Sequence, residues 1–423
     1  MGIFKKIITN EIFKITSLNG INVVLKICIG FVSSKIIAVY VGPAGMALVG
    51  NLRNFATMIE SVGLLGFQNG IIKYVAENDN DFQKQQKFLS TCIISIASVA
   101  VLLSLGLYFF SGFIANKLFG NNSGYESVMV ITSLCIPWYI ASLFLINVLN
   151  GLGLYKKVIS INIFGNILGL LIAVILIIQY KTFGALLSIV ISPTLLFGIT
   201  IFYVNKITPF LRISFQNFDF EIIKKLSQYS LMALFSSVIG SYVYLSIRNN
   251  VIDNLGIDKA GYWEAMTRIS GYCLLFLTTI LTVYFLPKLS KSENKEQTKA
   301  VFWSYFKGVI PMFIFGVTVL FFLKDLIVPM LLSEKFQPTT SLFFWQLVGD
   351  VFKAISLILG YQFFAKKLTT AFIVTESFSL LILYCSSVYF TSIFDIEGVV
   401  MAHAFTYFIY TIVLGTYFRK TIF

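Results

Sequence analysis

Twelve apolar segments succeed one another along this chain, at 15–40, 46–72, 88–111, 126–150, 158–180, 183–204, 229–251, 260–286, 301–323, 340–364, 369–390 and 398–418. Each is long enough to cross a bilayer core of about 30 Å, and nothing else in the sequence constrains the fold as strongly. In hydrocarbon every backbone N–H and C=O must be paired within the protein, so segments of this length cross as helices. Only 12% of residues are charged, against about a quarter in a soluble domain. The expected fold class is therefore all-α integral membrane, with about twelve transmembrane helices. MGIFKKIITNEIFK (1–14) is mixed and runs straight into the first apolar segment, so no cleavable signal peptide is expected. The five cysteines are scattered through apolar runs without paired spacing and read as packing residues.

A net charge of +13 raises the question of nucleic acid, and its distribution answers it. With the N-terminus inside, alternate connections hold 20 basic residues and the opposite ones hold 5: Lys117, Lys181, Lys259, Lys324 and Lys335. The positive-inside rule then places both termini in the cytoplasm, and topology accounts for the basic excess without nucleic acid. Seven basic residues remain within the spans: Lys26, Lys35, Arg53, Arg248, Arg268, Lys307 and Lys353.

The longest stretch without an apolar run covers about 205 to 228. It divides the chain into a six-helix bundle at 1–205, a cytoplasmic linker at 206–228 and a second six-helix bundle at 229–423. Within the linker, DFEIIKKLSQ (219–228) suggests a short interfacial helix capped by Asp219. Both halves start on the same side, so an internal repeat would be parallel. One is faintly visible, since Gly42 precedes Arg53 by eleven residues and Gly256 precedes Arg268 by twelve.

At 100° per residue, Gly50, Arg53, Asn54, Thr57, Glu60, Ser61 and Gln68 share one face of the second span. Asn19, Asn22, Lys26, Gly30 and Ser33 form such a stripe in span one, and Ser230, Ser237, Ser241, Tyr244 and Arg248 in span seven. Span eight aligns Gly261, Glu264, Arg268, Gly271, Thr279 and Thr282; span ten aligns Gln346, Gly349, Asp350, Lys353, Ser356 and Gly360. Polar faces in lipid are costly and usually turn to a bundle interior or water. Blander readings stand beside each charge. Arg53, about 12 Å in from a helix end, has the alternative of snorkelling, as do Arg248, Lys35 and Lys307. Glu264 with Arg268, and Asp350 with Lys353, have the spacing of intrahelical ion pairs. His403, the only histidine, has packing as its ordinary role and proton coupling as its rarer one; Glu376 poses the same choice. Pro137, Pro193 and Pro311 fall inside spans as candidate kinks. No Gly-Lys dipeptide occurs, so no phosphate-binding ATP loop is present. One histidine and no cysteine cluster leave no familiar zinc site; no metal or cofactor is expected.

The run GPAGMALVGNLRNF (42–55), followed by GLLGFQNGIIKYVAE (63–77), resembles the flippases of lipid-linked oligosaccharides. More narrowly, it is similar to the O-antigen translocase and enterobacterial common antigen (lipid III) flippase branch. That branch shares its superfamily with the multidrug and toxic compound extruders (MATE). Gly42 to Gly45, Asn51, Arg53, Asn69, Gly70 and Lys73 to Ala76 carry the likeness, over about 35 residues of the chain. The resemblance implies a MATE-like pair of bundles alternating between inward-open and outward-open states in the bacterial cytoplasmic (inner) membrane. The implied cargo is an undecaprenyl-pyrophosphate-linked sugar repeat unit, O-antigen or related, moved from the cytoplasmic to the periplasmic leaflet. The residues fit an anion, with seven basic groups in the spans against Glu60, Glu264, Asp350 and Glu376; guanidinium forks bind phosphate oxygens. Lys26, Arg53 and Arg268, then Arg248 and Lys353, are the expected pyrophosphate ligands. Asn22, Asn54, Thr57, Gln68, Ser241 and Tyr244 are the expected polar lining for sugars. Membrane lipid around the prenyl tail, an H+ or Na+ counter-ion and polysaccharide assembly proteins are the expected partners. Glu60, Glu264, Asp350, Glu376 and His403 are the candidate ion-coupling groups. Two alternatives stay open: a cation-coupled multidrug exporter of the same fold, and a polysaccharide polymerase or ligase. The latter would need a substantial outward loop, and none of the outward connections is long.

Overall fold

A computed structural model describes residues 11–78, 81–120, 123–204, 214–292 and 294–422. Lys5, Lys6 and the linker segment 206–213, with Lys206 and Arg212, lie outside the described residues. The described chain is helical throughout its spans. Helix α1 (Glu11–Tyr40) leads into α2 (Gly42–Gly63), α3 (Gln68–Glu77), α4 (Phe82–Phe109), the short α5 (Ser111–Phe119) and α6 (Glu126–Gly151). Next come α7 (Tyr155–Val204), α8 (Phe220–Leu255) and α9 (Ile257–Ile280), which passes through one π-helical turn at 281–285 into α10 (Leu286–Ser290). The chain closes with α11 (Lys295–Phe322), α12 (Lys324–Leu331), α13 (Phe343–Ala365), α14 (Thr369–Phe394), α15 (Glu397–Tyr417) and α16 (Arg419–Ile422).

Ten helices among the described residues are apolar and long enough to cross a membrane. One of them, α7, is two spans: its 50 residues fold back at Lys181 (φ 51°), and Ser192 on the return limb donates to the carbonyl of Gly169 on the outgoing one. Helix α2 is the twelfth span, about 33 Å long at 1.5 Å per residue, with its polar stripe diluting its hydropathy. The all-helical, twelve-span expectation holds.

Two local expectations do not. The second apolar segment is broken, because Leu65 and Gly66 both take left-handed backbone (φ 54° and 65°) between α2 and α3. Gly66 is the residue that permits this, since a Cβ there would lie 2.9 Å from the Ser230 carbonyl oxygen. Gln68 therefore starts a new helix, and the phase that set it on the Arg53 face ends at Gly63. Residues 220–228 do not form a separate helix; they are the first turns of α8, which runs unbroken to Leu255. Asp219 does cap them, accepting from the Glu221 N–H at 2.8 Å.

The repeat is written in the backbone turns. Positive φ occurs at Gly42 and Gly256, at Gly153 and Lys367, and at Lys181 and Asp395. Each pair is 214 residues apart. The second pair closes the same helix end twice: Leu154 N–H to Leu149 O (3.0 Å) and Leu368 N–H to Phe363 O (2.9 Å). After the third pair, Gly184 lies against the carbonyl of Leu176, and Gly398 against that of Phe390. A repeat with one constant offset accounts for all of these. The offset aligns Arg268 with Asn54 and Arg53 with Thr267, so the two arginines are one residue out of phase rather than equivalent.

By internal packing the chain forms two compact units. The first takes the described residues up to Ile36 with Asn51–Ser241; the second takes Ile37–Gly50 with Tyr242–Phe423.

Candidate functional site

In the first unit, the exposed side of α2 carries Arg53 and Thr57, with Asn54 and Glu60 half-buried beside them. Thr57 turns its hydroxyl back onto the Arg53 carbonyl at 3.0 Å, and Glu60 accepts from the Tyr139 hydroxyl of α6 at 2.7 Å. On α1, Lys26 is exposed and Asn22 buried. Gln68 and Ser241 are half-buried. Asn51 faces away from this stripe and donates its amide to the carbonyl of Leu118, near the end of α5, at 2.8 Å. That bond pins the short helix to α2. Behind the polar face lies a small apolar cleft bordered by Ala56, Ile59, Thr132, Ile136, Tyr139 and Ile189.

The second unit buries its charges. Glu264 on α9 bridges two guanidiniums, Arg248 Nη2 at 2.6 Å and Arg268 Nε at 3.1 Å. All three side chains are almost fully buried. The two arginines against one carboxylate leave a net positive group among apolar helices, and a carboxylate so placed is what makes burying both guanidiniums tolerable. Room for it comes from Gly50 on α2, where a Cβ would collide with the Glu264 carboxylate and approach Arg248 Cζ within 2.9 Å. Gly50 is thus a seat for the triad. Arg248 also lies over the Trp263 ring (5.2 Å), and Trp263 stacks on Tyr244.

A second cluster sits between α13 and α15. Asp350, wholly buried, accepts at Oδ1 from Gln346 Nε2, and His403 Nε2 lies 3.1 Å from the same oxygen. Gln346 also donates to Ser270 of α9. His403 packs edge-on to Tyr407, over whose ring Lys353 extends at 5.0 Å. Tyr407 lies near enough to Tyr244 to interact with it electrostatically. Glu376 on α14 accepts from Tyr410 at 3.1 Å. Asp350 pairs with the histidine, so the intrahelical pairing with Lys353 expected from spacing is replaced, whereas Glu264 with Arg268 forms as expected.

A family model described as polysaccharide biosynthesis protein matches residues 13–293, about two thirds of the chain. The chain belongs to the polysaccharide biosynthesis protein family.

Individual proteins match over most of the chain. The chain is 28% identical over 394 residues to the lipid III flippase of Escherichia coli (strain K12), covering 91% of this chain and 93% of that one. The lipid III flippase of Shigella flexneri matches to the same degree. Among solved structures, an inward-facing multidrug resistance MATE family transporter superposes with TM-score 0.75 at 13% identity, over 93% of this chain and 94% of that one. The lipid II flippase MurJ, in an inward closed conformation, reaches TM-score 0.75 at 17% identity, over 96% and 87%. The fold is that of the MATE and MurJ transporters.

Sequence reasoning reaches Glu264, Arg268, Arg248, Asp350 and His403 but misses what joins them. In the sequence Trp263, Tyr407 and Tyr139 are indistinguishable from aromatic bulk. Tyr407 does carry one signal, lying four residues after His403 and hence on its helical face.

Proposed function

We propose that this protein is a flippase that moves an undecaprenyl-pyrophosphate-linked oligosaccharide, an O-antigen or related repeat unit, from the cytoplasmic to the periplasmic leaflet. It works by alternating access of its two six-helix halves, with both termini cytoplasmic, in the inner membrane. The buried Arg248–Glu264–Arg268 group carries the reading. Two guanidiniums on one carboxylate give a positive site inside the membrane, suited to a pyrophosphate and unsuited to an organic cation. Similarity to lipid III flippases over nine tenths of the chain supports the same cargo class. In the first unit Lys26 and Arg53 present exposed positive charge and Asn22, Asn54, Thr57 and Ser241 offer hydrogen bonds to sugars; in the second Lys353 presents a half-buried charge and Tyr244 a hydroxyl. No covalent step is required. Directed movement draws on an H+ or Na+ gradient through one or more of Glu60, Glu264, Asp350, Glu376 and His403, or on consumption of the product by assembly proteins.

The test is binding of undecaprenyl pyrophosphate, against a lipophilic cation such as rhodamine 6G, to the purified protein and to the R53A/R268A variant. Expected is lipid binding that falls at least tenfold in the variant. Cation binding indifferent to both arginines would favour the exporter instead.

A further inference from the structure

The two halves place unlike residues at one equivalent position. The 214-residue offset set by the turns carries Ser270, Cys273, Gln346, Asp350, Lys353 and His403 onto Ala56, Ile59, Thr132, Ile136, Tyr139 and Ile189. The latter six border the apolar cleft of the first unit. One backbone arrangement is therefore filled with isoleucines in one half and with a carboxylate and imidazole in the other. Packing alone does not call for Asp350 and His403, since the fold meets that requirement with Ile136 and Ile189.

The chemistry around Asp350 selects what it binds. Its Oδ1 receives Gln346 and His403, while Oδ2 has no hydrogen-bond partner among the described residues. Beside Oδ2 the site offers one further unpartnered buried oxygen, Gln346 Oε1, and otherwise nitrogen donors, which is too few oxygens to cage a hard cation, and no cluster of three or more metal-ligating acids, thiols and imidazoles occurs among the described residues. A carboxylate in hydrogen-bond contact with an imidazole, away from water, holds one exchangeable proton as a unit. The pair is neutral when loaded and carries one negative charge when empty. Other titratable groups reach it from each packed element: Lys353 on α13 itself, Tyr407 on α15, Cys273 on α9, Tyr244 on α8 through Tyr407, and Glu376 on α14, which acts on Tyr407 and Tyr410. Lys288 of α10 and Lys307 of α11 are turned to Tyr305 and Trp303. Two runs of packed rings lead from the pair toward the arginines: His403 packs on Tyr407, and Tyr244 stacks on Trp263, over which Arg248 lies; Tyr407 and Tyr244 are near enough to interact electrostatically.

We infer that Asp350 and His403 together form a proton-binding site whose occupancy is linked, through Tyr407, Tyr244 and Trp263, to anion occupancy at the Arg248–Glu264–Arg268 group. The inference rests on the flippase reading and names the proton as its coupled ion. Linkage is reciprocal: the anion must shift the pair's proton affinity as far as the proton shifts the anion's.

His403 being the only histidine makes the test direct. The protein, purified without a histidine tag and labelled with 15N-histidine, gives one imidazole signal. That signal is followed against pH with and without undecaprenyl pyrophosphate, alongside the lipid's dissociation constant at each pH. Expected are a titration of His403 that moves in D350N and on adding lipid, and an affinity slope of up to about tenfold per pH unit beyond that of D350N. The lipid's own titration is common to both proteins and cancels. A D350I/H403I variant, copying the other half, should keep its melting temperature within a few degrees and lose the same slope. Lipid that binds with equal pH dependence in wild type and D350N, beside an imidazole insensitive to it, overturns the linkage and leaves the flippase reading standing. Lipid that binds at no pH overturns both.

Discussion

The two halves of this protein turn at the same places and differ in what they enclose. The glycine and left-handed positions at 42, 153 and 181 return at 256, 367 and 395, yet the cleft behind Ile136 and Ile189 is apolar while its counterpart holds Asp350 and His403. Turns are held by local backbone geometry, which any copy of the fold must satisfy. Interiors are free to diverge once a half has enough apolar burial, and in the second half the divergence runs to buried ions. The offset also makes Gly50 the counterpart of Glu264, so the seat and the carboxylate it receives are equivalent positions. A small residue in one copy is what admits a charge in the other.

The largest effect should come from breaking that arrangement at its centre. Glu264→Gln leaves two buried guanidiniums without their shared carboxylate, and removing one partner of a buried ion pair costs about 3–5 kcal/mol. Thermal unfolding in detergent should show a drop of many degrees, with Glu264→Asp falling between. A variant as stable as wild type would mean that water already solvates the triad. Next in size is the exchange of interiors. Ile136→Asp places a carboxylate where no partner waits, at about 2.5–3.5 kcal/mol for a mid-span acid, whereas Asp350→Ile removes one and should be far milder. Equal losses would show that the two clefts are alike in polarity after all.

These contrasts also mark what is legible in the sequence. Twelve spans, the polar faces of α2, α9 and α13, and the Glu264–Arg268 spacing follow from hydropathy and a 100° period, both local quantities. The break at Leu65 and Gly66 is hidden because its apolar letters continue the span, and the close approach that leaves no room for a side chain at Gly66 comes from Ser230 and Leu234, far along the chain. Likewise the His403–Asp350 contact joins residues 53 apart, and periodicity within one helix is blind to it. The arginines illustrate the opposite error. The one-residue difference between Arg53 and Arg268 already stands in the sequence, as eleven against twelve residues from Gly42 and Gly256, and the turns fix the constant offset that makes it a true difference in register.

A matched pair of changes tests that register. Gly184→Ala and Gly398→Ala each push a methyl onto the backbone of the residue eight positions earlier, Leu176 and Phe390. Overpacking of this kind costs about 1–3 kcal/mol, and the two losses should agree within experimental error if the hairpins are true copies. A large inequality would limit the repeat to the sequence level.

The smallest expected effect lies where the first unit's surface connection meets α4. Asp219 pairs with Lys87 at 2.8 Å, accepts from the Glu221 N–H and donates its own N–H to Thr91 Oγ1. The Lys87 ammonium, then the Glu221 N–H, hold the Asp219 carboxyl below its ordinary range near 3.8. Asp81, with the Lys84 N–H as its main support, is lowered in the same way. A depressed carboxyl contributes stability that is complete above its unfolded value and is lost as pH falls through its folded value. Wild type should therefore be indifferent to pH between about 5 and 8 at this point and lose the contribution only below about 4. Asp219→Asn should match wild type in strong acid and be slightly less stable at neutral pH, with the difference shrinking in high salt because the pair is exposed. A difference between Asp219→Asn and wild type that persists undiminished below pH 3 would assign the effect to the helix cap rather than to the ion pair.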